Sequence, residues 1–169
     1  SGSGQSTNFT GFETVNLLGG NDSASFNGAF AGSVELGDGN DTATINTGSS
    51  TTALSGGAGT DSLNSNSAAN SLSLSGADAG SVDGTAFNSF EAINLAAGND
   101  TVTVAAGGSL SGNLNLGDDS NSLTLQAGAG SLASVTGGSG SDTVLLQGGS
   151  ITGALNAGDG SNSLTVSGS

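Results

Sequence analysis

The chain is written in short alternations of apolar and small polar residues. Val34 and Leu36 flank Glu35, Ala43 and Ile45 flank Thr44, Ile93 and Leu95 flank Asn94, and Val102 and Val104 flank Thr103. A period of two over three to five residues marks half-buried strands, whereas a helix needs apolar residues three and four apart. Gly-rich turns separate these runs, so the pattern predicts many short strands and no helix.

One strand-loop-strand unit recurs along the chain. Its clearest copies are VELGDGNDTATI (34–45), LSGGAGTDSLN (54–64), INLAAGNDTVTV (93–104) and VTGGSGSDTVLL (135–146). Weaker copies are VNLLGGNDSASF (15–26), LNLGDDSNSLTL (114–125) and LNAGDGSNSLTV (155–166), and NSLSLSG (70–76) keeps only the second half. The last polar residue of each loop is Asp22, Asp41, Asp61, Asp100, Asn121, Asp142 or Asn162, which sets a period of about 20 with one degenerate copy. That copy is expected near 78–83, where Asp78 and Asp83 lack the glycine spacing. Asn70, only 9 residues after Asp61, makes this region irregular. A further short segment is read before each copy, as at 29–37, 109–117 and 150–158: Phe30, Leu110 and Ile151 keep the parity of Val34, Leu114 and Leu155, with Gly32, Gly112 and Gly153 between them.

A unit this small cannot bury a core alone, but stacked units can. The expected fold is therefore all-β, a parallel β-solenoid of the β-helix or β-roll kind, forming a single domain over 1–169 with repeat units at about 9–86 and 87–169. At about 20 residues per coil the chain makes about eight coils, a rod of about 40 Å at about 4.8 Å per coil. Stacking one coil per repeat places Val34, Leu54, Ile93, Leu114, Val135 and Leu155 in one internal column. The absence of proline fits, because every interior strand must donate its amides to a neighbouring coil.

Composition narrows the function. The 169 residues include 14 acids and no Lys, Arg or His, a formal charge of -14. Without His, Cys or Lys there is no Ser-His-Asp triad, thiolate nucleophile, Schiff base or zinc finger, so an enzyme is not expected. Nucleic acid is disfavoured too, since phosphate binding runs on Lys and Arg. No apolar run is long enough to span a membrane, and no basic segment suggests a signal peptide. Leu, Ile, Val and Phe make up only about a fifth of the chain, near the level at which charged chains stay disordered; the strict repetition argues for order.

The loops resemble the calcium-binding nonapeptide of the RTX (haemolysin-type) family, G-G-x-G-x-D followed by an apolar position. GGAGTDSLN (56–64) and GGSGSDTVL (137–145) fit fully, while LGDGNDTAT (36–44) and LAAGNDTVT (95–103) lose part of the glycine pair. FTGFETVNLLGGND (9–22) and FNSFEAINLAAGND (87–100), 78 residues apart, resemble a lead-in seen before such repeats. Ca²⁺ wants six to eight hard oxygens, which a Gly-rich turn supplies as carbonyls and an Asp as carboxylate. The candidate metal positions are Asp22, Asp38, Asp41, Asp61, Asp100, Asp118, Asp119, Asn121, Asp142, Asp159 and Asn162. With the motif mostly once per coil, a single calcium ladder along one edge is expected. Phe9 with Phe12, and Phe87 with Phe90, read as core residues, and Glu13 and Glu91 as one repeated structural position. A regular ligand-binding face is disfavoured, because Gly20, Gly39, Gly59, Gly98 and Gly140 stand where a Thr row would run.

The end of the chain, NSLTVSGS (162–169), is similar to NSLSLSGA (70–77), and joining it to the start places Phe9 16 residues after Asn162, against 17 from Asn70 to Phe87. The expected partners are copies of the chain end to end, or adjoining repeats of a longer chain. The expected function is a calcium-stabilised structural solenoid outside the cell or on its surface, as a fibre, sheath, surface layer or adhesin stalk. The alternative is a calcium-triggered secretion and folding module of a larger secreted enzyme, toxin or adhesin.

Overall fold

The computed structural model describes residues 13–167. The fold is all-β, with no helix among these residues, and the chain winds through about seven turns of about 21 residues. The first half runs through β1 (Thr14–Asn16), β2 (Ser23–Phe26), β3 (Ala29–Asp38), β4 (Thr42–Asn46), β5 (Ser50–Ala58) and β6 (Ser62–Asn66). These alternate between two sheets, so β1, β3 and β5 stack in one sheet and β2, β4 and β6 in the other, all parallel and spaced by one coil.

The expected degenerate copy is not a coil. Instead the chain makes an antiparallel excursion within the first sheet, through β7 (Ser71–Gly76), β8 (Ala79–Val82) and β9 (Thr85–Asn88). Asp78 and Asp83 each have positive φ in its turns, and Asp83 with Gly84 (φ 49° and 83°) forms the two-residue Asp-Gly connection that suits the twist of a hairpin. This accounts for seven turns where the repeat count predicts eight.

The second half runs through β10 (Ala92–Leu95), β11 (Thr101–Val104), β12 (Leu110–Gly117), β13 (Ser122–Leu125), β14 (Ser131–Gly137), β15 (Thr143–Leu146), β16 (Ser150–Ile151), β17 (Leu155–Asn156) and β18 (Ser163–Val166). Here the repeat is displaced by half a turn. The segment before each loop lay in the first sheet as β3 and β5, but as β10, β12, β14 and β17 it lies in the second, where Ile93 stacks directly on Leu63. The single expected column is therefore two. Val15, Val34, Leu54 and Phe87 form one, while Ile93, Leu114, Val135 and Leu155 continue Ala24, Ala43 and Leu63 in the other.

Inward-facing residues of both sheets meet in one core that includes Leu36, Leu54, Leu63, Leu72, Ile93, Leu114 and Leu123. Phe87 and Phe90 join it edge to face, with centroids 6.3 Å apart; Phe9 and Phe12 lie outside the described residues. Register shifts between Phe30 and Ser33, and between Leu110 and Asn113, fall at Gly32 and Gly112, so these glycines mark bulges where a long strand bends.

Candidate functional site

Each acidic loop ends on a residue that opens the next strand, and the stacking of coils sets these residues one above another. Because the repeat shifts by half a turn, they form two ladders on opposite edges of the solenoid rather than one. The first ladder lies where the chain passes from the first sheet to the second. Oδ1 of Asp41 accepts the amide N–H of Asp22 at 2.7 Å, Oδ1 of Asp61 that of Asp41 at 2.8 Å, and Oε2 of Glu91 that of Asp61 at 2.7 Å.

The second ladder lies where the chain passes from the second sheet to the first. The amides of Asn70, Asp100, Asn121 and Asp142 donate in turn to Oδ1 of Asp100, Asn121, Asp142 and Asn162, at 2.6, 2.9, 3.0 and 2.8 Å. Asn70 closes its lower end, where its Oδ1 accepts the hydroxyl of Ser65, the one polar residue in the column of Ile45 and Leu95. One side-chain oxygen per rung thus satisfies an amide that would otherwise be stranded at a strand end.

The second atom of each rung is where aspartate and asparagine part. Oδ2 of Asp22, Asp41, Asp61, Asp100 and Asp142 is sealed from solvent with no hydrogen-bond partner. In contrast, Nδ2 of Asn121 donates to the carbonyls of Gly117 and Asp119 at 3.3 and 3.2 Å, and Nδ2 of Asn162 to those of Ala157 and Gly158 at 3.2 Å each. The residue two before the rung has positive φ in every acidic loop, at 130–143° for Gly20, Gly39, Gly59, Gly98 and Gly140 before the aspartates and at 73° and 100° for Asp119 and Gly160 before the asparagines. By register, then, the orphan Oδ2 of an aspartate rung occupies the place from which an asparagine donates to its own loop. A side chain at Gly56 would strike the Ser89 carbonyl first and then this oxygen of Asp61, and one at Gly137 would strike the same oxygen of Asp142, which explains the first glycine of GGAGTD and GGSGSD.

Burial pushes the Asp61 carboxyl above the usual range; the Asp41 amide opposes this, and the charges of Asp41 and Glu91 add to it. Burial also raises Asp100, against the hydrogen bonds from the amide and side chain of Asn70 and with the charges of Asp83 and Asp119. Four of the eleven sequence candidates are not rungs. Asp38, Asp118, Asp119 and Asp159 are exposed on the loops. Oδ1 of Asp118 accepts the amide and hydroxyl of Ser139, which hold its carboxyl below the usual range.

No known family matches this chain, and no match is found among curated proteins or solved structures. Among the described residues no three carboxylates converge. A rung carboxylate with the carbonyls of its Gly-rich loop would be an all-oxygen, hard donor set of the kind Ca²⁺ takes, and its orphan oxygen calls for positive charge. The Asn121 and Asn162 rungs are already complete within the protein.

Two ladder members escaped the loop motif. Asn70 has no acidic loop before it, and Glu91 follows FNSF rather than a Gly-rich turn. The signal for Glu91 was its match with Glu13; for Asn70 it was the Asn-Ser-Leu run shared with 121–123 and 162–164.

Proposed function

We propose that this chain is a structural, calcium-stabilised β-solenoid that works outside the cell, as the stiff part of a fibre, sheath, surface layer or adhesin stalk. The observation that carries the reading is the set of five buried, unpartnered carboxylate oxygens in a chain without a single basic residue. Asp22, Asp41, Asp61, Asp100 and Asp142 would hold the ions together with carbonyls of their loops. Bound calcium supplies the positive charge that the sequence lacks, and millimolar extracellular calcium matches the weaker class of protein sites.

The chain has no His, Cys, Lys or Arg to serve as base, nucleophile or anion binder, which supports a structural reading. Head-to-tail growth, by copies of the chain or by adjoining repeats, is supported at both ends. Leu164 and Val166 of β18 are 55% and 67% exposed, and at the other end Val15, Leu17, Phe26 and Phe30 line an open apolar groove. A strand that follows a loop already stacks on one that precedes a loop within the chain, where Leu63 meets Ile93, so β18 has an internal precedent for meeting β1 of a second copy. The same orphan carboxylates also favour a second reading, a module of a larger secreted protein that stays unfolded until it meets calcium outside the cell.

Circular dichroism tests the metal dependence. The β spectrum is expected to collapse in EDTA and return with millimolar calcium; a spectrum unmoved by chelation refutes it. Electron microscopy in calcium should show rods longer than one chain, and uniform monomers refute head-to-tail growth.

A further inference from the structure

We infer that the asparagine rungs are built-in replacements for the cation: Nδ2 of Asn121 and Asn162 is the counterpart of the orphan oxygen for which an aspartate rung would recruit an ion, and it donates directly to carbonyls of its own loop. The inference deepens the calcium reading and rests on it for the identity of the ion, but not for the equivalence of the rungs.

That equivalence has three supports. Aspartate and asparagine use the same Oδ1 for the same task, accepting the amide of the neighbouring rung. The loops share the positive φ two residues before the rung. The remaining atom is unpartnered and buried at every aspartate in the ladders but bonded to loop carbonyls at Asn121 and Asn162. A carbonyl-lined niche accepts a donor or a cation and rejects a bare anionic oxygen. Each rung therefore encodes by one atom whether its loop closes alone or waits for metal. Calcium demand is set rung by rung, within loops that all turn through positive φ.

Two exchanges in the second ladder test this. Asp142→Asn puts an amide between Asn121 and Asn162, and Asn121→Asp puts an acid between Asp100 and Asp142. In chelator at neutral pH, Asp142→Asn should melt above the parent and Asn121→Asp below it, by about 2–4 °C per kcal/mol for a chain of this size. Calorimetric titration with CaCl₂ should count one ion fewer for Asp142→Asn and one more for Asn121→Asp. The inference is overturned if Asp142→Asn melts lower than the parent in chelator, or if Asn121→Asp melts the same as the parent. If calcium leaves the parent's melting unchanged while Asp142→Asn still melts higher, the calcium reading fails and the equivalence of the rungs stands, because the niche then wants a donor and not an ion.

Discussion

In the first ladder the rungs are Asp22, Asp41, Asp61 and Glu91, four acids in succession; in the second Asp100 and Asp142 are each held between asparagines. The backbone task is the same on both edges, and so is the hydrogen bond that performs it. What differs is charge. Two ionised rungs at the roughly 4.8 Å spacing of adjacent strands repel by about 3 kcal/mol at an effective dielectric near 20, and the first ladder stacks such pairs where the second interposes amides. One loop can therefore serve as a metal-dependent joint or as a self-closing one, and the halves of this rod are weighted toward opposite choices.

The largest consequence concerns the metal-free chain. Hydrogen exchange in EDTA at neutral pH should find the amides of β2, β4 and β6 far less protected than those of β11, β13 and β15. A repulsion of about 3 kcal/mol corresponds to about a hundredfold in local opening. Uniform protection along the rod, or loss confined to the C-terminal half, would show that rung charge does not set local stability.

A cut at the seam sharpens it next. Leu63 is fully buried and stacks between Ala43 and Ile93, the contact by which the second sheet passes from one half to the other. Leu63→Ala should cost about 2–5 kcal/mol and split thermal unfolding in chelator into two transitions, the N-terminal half melting first. Leu123→Ala, equally buried but inside the C-terminal half, should cost a similar amount without the split. A single transition in both variants would mean that the halves unfold as one unit whatever their rungs.

Much of this was legible in the residues. Alternation such as Val34-Glu35-Leu36 dictates strands because only one face can be buried, and a period of about 20 with no larger core dictates stacking. The half-turn shift was not legible, because the segments before and after a loop are both apolar alternations that fit either sheet. Leu63 accepts Ile93 above it as readily as Leu54 accepts Phe87. Asp83-Gly84 did carry a hairpin signal, but the surrounding repetition reads as another coil until the pairing of β7, β8 and β9 is seen. Of the candidate metal positions, the loop motif finds the last polar residue correctly as a rung. Residue type alone does not tell Asp38 or Asp118, which are exposed, from Asp41, which is buried, since all three lie in Gly-rich acidic turns.

The smallest effect is on pH dependence, and its sign runs against the usual behaviour of acidic proteins. Asp61 and Asp100 are raised above the unfolded value of 3.8, first of all by burial, so the folded chain holds these protons more tightly than the unfolded chain. Their contribution is complete below pH 3.8 and is lost as pH rises through the folded values. Asp118 works in the opposite sense: held down by Ser139, it stabilises above the unfolded value and loses that contribution as pH falls through its folded value, but it is exposed and its share is minor. In chelator, the urea midpoint should therefore fall between about pH 4 and neutrality. Calcium should flatten that slope by supplying the positive charge that the proton otherwise brings. Asp61 is raised further by the acids Asp41 and Glu91 on either side of it in the ladder, whereas the ladder neighbours of Asp100 are Asn70 and Asn121 and the acids that raise it, Asp83 and Asp119, are not rungs. Glu91→Gln keeps an acceptor for the Asp61 amide and removes one of those charges, so it should reduce the fall in midpoint toward neutral pH. If the midpoint instead rises with pH in chelator, the buried carboxyls are not the groups that set the stability of the metal-free rod.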